Sequence, residues 1–310
     1  MANDYLDVAA LATINDQNAI DAGCSDILDD APVLGAMPAL VASNGTDHKY
    51  LKYTGQPSVG FRAANDGREN DHSEDTLVTA ALKILDGSFR VDKAVADAHF
   101  AGPEALIARE AARHIRAAFA SAESQIFDGT GADSGGFSGF ANSTSLDAIA
   151  DALTIDAGGT TADTGSSVYL IRTGDADAAV VLGQNGNIEI GESVVQQVAG
   201  ATGFYSAYYT PIEAWVGLQL GSIYSVGRII NITADSGKGL TDALIASAIE
   251  QFPAARAPSI IAMNRRSLSQ LQSSRTATNA TGQPAPFPAE AFGIPVVATD
   301  GIGSVEALIT

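Results

Sequence analysis

Apolar and polar positions change their spacing several times along the chain, and each change predicts an element. Leu6, Val8, Leu11, Ile14, Ile20, Ile27 and Leu28 are sparse and set among Asp4, Asp7, Asp16, Asp21, Asp26, Asp29 and Asp30. They predict one or two short helices that cannot make a core and must lie on something else. Lys49-Tyr50-Leu51-Lys52-Tyr53 alternates like a half-solvated strand. Val59-Gly60-Phe61-Arg62 predicts a second short extended piece, and Asn65 to Asp71 a polar turn. Thr76 to Val95 reads as extended, with a turn at Asp86-Gly87. Together these pieces predict an antiparallel excursion, and a two-stranded ribbon is marginal in water without a neighbouring surface.

Gly102-Pro103-Glu104 opens the strongest predicted helix. Leu106, Ile107, Ala111, Ile115, Phe119, Ala122 and Ile126 form its apolar stripe, and Arg109, Arg113 and Arg116 take another face. About 25 residues at ~1.5 Å each make a rod of ~37 Å, stopped at Asp128-Gly129-Thr130-Gly131. A Gly- and Ser-rich stretch from Asp133 to Thr144 holds only Phe137 and Phe140 as bulky residues. A compact segment starts at Leu146 to Ala150. Val168 to Ile171 predicts a buried strand, Ala178 to Leu182 a helix or a second strand, and Ile188 and Ile190 alternate about Glu189. Tyr208 to Ile232 is the longest strand-like region, with Gly221-Ser222 and Gly227 as turns or bulges. An amphipathic helix over Leu240 to Phe252, a strand over Ser259 to Met263 and a basic helix over Arg265 to Arg275 follow. A loop at Pro284, Pro286 and Pro288 leads to a closing strand from Ile294 to Asp300. There is no internal repeat.

With 310 residues the chain allows one large domain or two intertwined ones. Hydrophobic residues at 46% and charged ones at 17% exclude disorder as the dominant state. Cys24 is the single cysteine, which excludes an internal disulfide and a multi-cysteine metal site. The opening residues lack the pattern of a signal peptide. The longest uncharged windows, such as Ser193 to Ile212, contain Gln, Ser, Thr and Tyr, so no membrane span is predicted. The expectation is a soluble protein folded in a reducing compartment. The net charge of −19 argues against tight nucleic-acid binding, which needs cations.

Catalytic chemistry is present only as fragments. Asp163-Thr164-Gly165-Ser166 has the composition of an aspartic-protease motif, with Asp133-Ser134-Gly135 and Asp235-Ser236-Gly237 as partners. Its Asp, however, follows Ala157 to Thr161 and not an apolar strand, which points to a solvated turn. Gly129 to Gly135 follows a helix and lacks the Lys-Ser/Thr of a phosphate loop. His48, His72, His99 and His114 are scattered, and Asp66 to Asp71 fails the spacing of a calcium loop. No catalytic residue, cofactor site or metal site is assigned. Arg256, Arg265, Arg266 and Arg275 form one basic block with no acid between Glu250 and Glu290. It reads either as a solvated helix face or as a contact with an acidic surface on a neighbouring subunit.

Four pieces, taken in order, resemble a tailed-phage major capsid protein of the Hong Kong 97 fold, with the closest likeness to those of short-tailed phages. They are Pro57 to Gly67, Val91 to Asp97, Ile126 to Gly129 leading to Gly136-Phe137-Ser138-Gly139-Phe140, and Phe292 to Asp300. The resemblance covers nearly the whole chain and implies an α+β fold. Residues 1–47 would be an N-terminal arm, 48–101 an E-loop β-hairpin reaching over an adjacent subunit, and 102–145 the spine helix and loop of a peripheral domain. Residues 146–207 and 233–310 would form an axial domain of mixed sheet and helices, and 208–232 the long strands of the peripheral domain. It further implies self-assembly as pentamers and hexamers into an icosahedral shell around double-stranded DNA, without sequence-specific binding, in a virion assembled in the host bacterial cytoplasm. A separate scaffolding protein is expected, because the hairpin begins by residue 48, together with a portal protein and, as an optional partner, a decoration protein. No enzyme activity, cofactor or membrane is implied. Lys49, Lys52, Phe61, Arg62, Asp66, Arg68, Arg265 and Arg266 are the candidate contacts between subunits. An acidic inner wall would keep the shell from adhering to packaged DNA. An encapsulin-like compartment is the alternative with the same fold, and an aspartic-protease-like enzyme the remote one.

Overall fold

The computed structural model describes residues 30–55, 57–69, 71–99, 102–142, 153–183, 186, 188–200, 203–277 and 283–309. The predicted helices before residue 30 and the segment from Leu146 to Ala150 lie outside these residues. The helices are α1 (Pro32–Ala36), α2 (Lys93–Asp97), α3 (Pro103–Asp128), α4 (Asp242–Glu250) and α5 (Arg265–Ala277). The strands of the first half are β1 (Ala39–Val41), β2 (Asp47–Gly55), β3 (Glu74–Ala81), β4 (Lys83–Asp86), β5 (Phe89–Asp92), β6 (Thr154–Asp156), β7 (Val168–Ile171) and β8 (Ala178–Leu182). Those of the second half are β9 (Glu189–Ile190), β10 (Val194–Gly200), β11 (Gly203–Thr210), β12 (Ile212–Leu220), β13 (Val226–Ile230), β14 (Ile260–Met263), β15 (Glu290–Ala291) and β16 (Ile294–Ala298). The result is a mixed α+β fold.

Two sheets carry the body. One has the order β1-β8-β12-β4, with β9 also on β12, and the other runs β15-β16-β14-β7-β13-β6. The central strands β7, β13 and β14 of the second sheet are buried at every position because both of their faces are covered. In β7, Tyr169 and Ile171 point into a core shared with the first sheet, with Phe127 and with Phe140. Val168 and Leu170 point the other way, onto Ile245, Phe252 and Leu271 of the α4 and α5 layer. β14 divides in the same manner, Ile260 and Ala262 to one side and Ile261 and Met263 to the other.

The long helix α3 has Pro103 in its first turn and ends at Gly129, whose φ of 56° is left-handed and whose N–H reaches the Gln125 carbonyl. Leu106, Ala111, Ile115, Ala122 and Ile126 are buried, as the apolar stripe predicts. The following Gly-Phe loop folds back on the helix end. A Cβ on Gly139 would fall 2.2 Å from the Gln125 carbonyl oxygen, so only glycine lets the loop approach this closely. That approach buries Phe137 and Phe140 and lets Gln125 donate to the Phe137 carbonyl at 2.6 Å.

Three expectations are corrected. Thr76 to Val95 is not one extended excursion: only β2 and β3 form the separate ribbon, while β4 joins β12 and β5 joins β11. The stretch then turns helical at α2, where the Asp92 carboxylate caps the Ala94 N–H at 2.8 Å. Val59 to Arg62 is not a strand but part of the ribbon's irregular tip. Tyr208 to Ile232 is not one unit, since β11, β12 and β13 belong to three different sheets. A tight turn at Ser222–Ser225 sends the chain from one body sheet to the other. Ala178 to Leu182 resolves as the strand β8.

Candidate assembly surface

The β2–β3 ribbon pairs from Asp47↔Ala81 to Gly55↔Glu74, with an irregularity between Tyr53 and Gly55. Its root is fastened to the body by hydrogen bonds of neutral groups. The Tyr53 N–H donates to the Gly221 carbonyl at 3.1 Å, the Leu220 N–H donates to the Tyr50 hydroxyl at 3.2 Å, and the Leu82 N–H donates to the Thr46 carbonyl at 2.9 Å. His48 Nδ1 accepts from the Ser43 N–H, which leaves Nε2 to donate to Gln219 Oε1 at 2.7 Å. Burial raises the Tyr50 hydroxyl pKa, partly offset by the Leu220 bond. The Arg256 guanidinium lies 4.9 Å from the Tyr53 ring centre and 5.6 Å from that of Tyr224. Clefts of about 660 and 540 Å³ flank the root on its two sides, the second floored by Phe137, Leu218 and Leu220.

The tip is ordered by its own polar residues. Arg68 donates to the Ser58 hydroxyl at 2.8 Å, and the Ser58 N–H donates to Asp71 at 2.9 Å. Arg62 donates to the Asp66 carbonyl at 3.0 Å, and the Asp66 carboxylate accepts from the Gly67 N–H. Glycine at position 60 gives the Arg68 guanidinium room to cross the tip. Against this polar frame Val59 is 89% exposed and Phe61 fully so. Covering a side chain of this size is worth about 1.5–3 kcal/mol. Of the predicted contact residues, Lys49, Lys52, Phe61, Arg62, Asp66 and Arg68 thus lie on one ribbon, Lys49 exposed at the first cleft and Lys52 at the Phe137 cleft.

Arg265 and Arg266 are not brought to that ribbon. Arg265 forms an exposed pair with Asp300 at 3.1 Å. Arg266 donates to the Ser304, Thr164 and Ile232 carbonyls at 2.9, 2.8 and 3.1 Å. Arg275 holds Asp242 with two bonds of 2.8 and 2.7 Å and also reaches the Glu290 carbonyl. Arg266 and Arg275 thus act as clamps within the chain, while Arg265 stays exposed beside Asp300. Backbone carbonyls absorb much of the charge of this basic block, and they leave no mark in the sequence.

Two buried ionic nodes escaped sequence reasoning. Glu123 on α3 is buried and accepts the Val33 and Leu34 N–H groups of α1, both at 2.8 Å, together with the Thr299 hydroxyl. Burial raises its pKa, and these bonds oppose the rise. Arg228 on β13 is buried too. Its Nε donates to the Ser167 hydroxyl at 3.1 Å, its Nη2 meets Glu306 at 3.4 Å, and its guanidinium sits 5.3 Å from the Tyr169 ring centre. An arginine inside the apolar strand Val-Gly-Arg-Ile-Ile was the available signal.

Asp128 faces the same cluster. Burial first, and the Glu306 carboxylate second, push its pKa up to about 6 against the opposing pull of Arg228. A raised carboxyl pKa favours folding when protonated. That stabilisation is complete below the unfolded value of 3.8 and is lost as the pH rises through about 6. Asp128→Asn is therefore expected to melt at a higher temperature than the natural chain at pH 7.5, with the gap closing near pH 4. Equal melting temperatures across that range would refute the assignment.

The aspartates of the protease-like fragments do not form a pair. Asp235 is tied to the Thr161 hydroxyl, the Thr160 and Thr161 N–H groups and the Thr233 hydroxyl. These bonds, the Thr161 hydroxyl foremost, hold its pKa near 2, so it cannot share a proton at ordinary pH. Asp163 sits in a left-handed turn with φ 54°, and Asp133 caps the Gly135 N–H beyond the end of α3. Among the described residues no three His, Cys, Asp or Glu side chains gather as a metal site, and no helix is long and apolar enough to cross a membrane.

Residues 16–310 match the family model described as Major capsid protein GP7. The chain belongs to this family. Among solved structures it is similar to that of bacteriophage Epsilon15, with 19% identity over 88% of each chain and a TM-score of 0.60, which shows a shared fold. The bacteriophage JBD30 capsid matches at 9% identity over 86% of this chain and 88% of its own, with a TM-score of 0.46. No curated protein matches the sequence. The tailed-phage major capsid assignment and the mixed α+β class both hold for this capsid protein.

Proposed function

We propose that this capsid protein is the tile of an icosahedral shell, built as pentamers and hexamers, that encloses the double-stranded DNA of a tailed phage in its virion. The observation that carries this reading is the ribbon: an arm with no core of its own, a polar-stapled tip, and Val59 and Phe61 offered outward. In this reading residues 47–81 are the E-loop, shorter than the segment 48–101 expected from the sequence because β4 and β5 belong to the body. Helix α3 is the spine helix of the peripheral domain, joined by β5, β10, β11 and part of β12. The sheet containing β7, β13, β14 and β16, with α4 and α5, is the axial domain. Lys49, Lys52, Phe61, Arg62, Asp66 and Arg68 meet the next subunit, and Arg265 lies at a second contact. Arg266 is left out because it is used inside the chain. The role is structural and not enzymatic. Assembly takes place in the host cytoplasm, with a separate scaffolding protein and a portal as partners and a decoration protein as an optional further one. The charge of −19 fits a lining that does not stick to DNA.

Electron microscopy of the purified protein tests the reading. Shell-sized particles are expected from the natural chain. Val59→Asp/Phe61→Asp is expected to remain folded by circular dichroism and to elute as a small species. A natural chain that stays solitary, or a double variant that still forms shells, contradicts it.

A further inference from the structure

A second hairpin, β10–β11, lies at the edge of another sheet. β10 pairs with β11 from Val194↔Tyr209 to Gly200↔Gly203, and it is the outermost strand of the sheet β10-β11-β5. β5 reaches only as far as Ala207, so the outer half of this hairpin is two strands wide. A two-stranded ribbon is marginal by itself. Proteins usually guard such an edge with charge, proline or a cover. Several other edges follow that rule: β2 and β3 carry Asp47, Lys49, Lys52, Glu74 and Asp75, and β5 carries Arg90 and Asp92, while the uncharged edge strand β1 is only three residues long. Among the described residues β10 carries neither charge nor proline, and no strand covers its outer edge. From Ser193 to Ile212 there is no charged residue, in a chain whose net charge is −19. Val194, Val195, Phe204 and Tyr205 are exposed there, Phe204 at 76%.

We propose that the outer edge of β10 pairs with β10 of a second copy of this chain, antiparallel about a two-fold axis, joining two hairpins into one sheet. Like-charged copies repel wherever acidic surface meets acidic surface. An uncharged edge lets two of them approach, and a strand of equal length with no charge of its own is the partner that fits. The ribbons β2 and β3 fit less well, because their charges would have to be desolvated against this apolar edge. The inference rests on the shell reading and names a contact that the ribbon tip does not make.

The test is a cysteine scan in the full chain with Cys24 replaced by serine, placing cysteine singly at Gln196, Gln197 and Val198. After mild oxidation of shells, a disulfide-linked dimer joined β10 to β10 is expected from at least one position, together with loss of assembly in Val195→Lys/Gln197→Lys. Normal shells with no such dimer, or a disulfide joining β10 to another segment when Ser58 also carries cysteine, overturn the pairing. If the natural chain forms no shells, the shell reading fails separately. The same single variants, oxidised as concentrated soluble protein, then still decide: β10-linked dimer supports the pairing and monomer refutes it.

Discussion

Arg228→Met is expected to lower the stability of the unassembled protein by roughly 3–5 kcal/mol, the cost of leaving buried charge without its partner. Methionine fills much of the space over Tyr169 but leaves Glu306 with the Ser167 hydroxyl and no cation at Nη2 distance. Asp128 loses the one nearby charge that holds its pKa down. The loss should therefore belong to the set and not to the arginine alone. The triple variant Arg228→Met/Glu306→Gln/Asp128→Asn is expected to recover most of it, since a neutral set needs no counter-charge. Denaturant unfolding of the single, the double Glu306→Gln/Asp128→Asn and the triple variant measures the coupling. A single variant as stable as the natural chain, or a triple one no better than the single, would show that the cluster is not the linked unit its geometry describes.

Glu123→Ala is expected to cost roughly 2–4 kcal/mol, because it strands a buried and a part-buried N–H donor and a buried hydroxyl at about 1–3 kcal/mol for a group left unsatisfied. The carboxylate joins three distant pieces: α1, α3 and the end of β16 at Thr299. Glu123→Gln keeps one acceptor oxygen and should lose less. A calorimetric scan in which the alanine variant melts within a degree of the natural chain would sink this account.

Much of the body was legible because its elements have a strong period. The stripe from Leu106 to Ile126 predicts α3, and the unbroken apolar runs at 168–171 and 260–263 predict strands covered on both faces. The Gly-Phe loop was visible as a motif, but the reason for it, the closeness of Gly139 to the helix-end carbonyls, needs three dimensions. Sheet membership was not legible. β12 and β13 read as one run because period-two alternation says nothing about which sheet a strand enters. Charge is hard to read for a related reason. Arg265, Arg266 and Arg275 look alike in sequence, yet one meets an exposed aspartate, one meets carbonyls and one forms a two-bonded pair. Of the ribbon tip only the polar turn after Asn65 was legible, since the apolar Val59 and Phe61 alternate like a strand; the uncharged run of β10 suggests no edge, because strand pairing leaves no mark in the sequence.

The manner in which the β2–β3 ribbon is fastened has a consequence for how solution conditions act on this chain. Its root is held by backbone groups, a tyrosine hydroxyl and a His–Gln bond, with one guanidinium resting on rings. Dissolved ions have little to screen at such a joint. Ionic strength should then leave the angle of each arm nearly unchanged and act instead on how often strongly acidic copies meet, so that added salt would hasten growth without reshaping the building block.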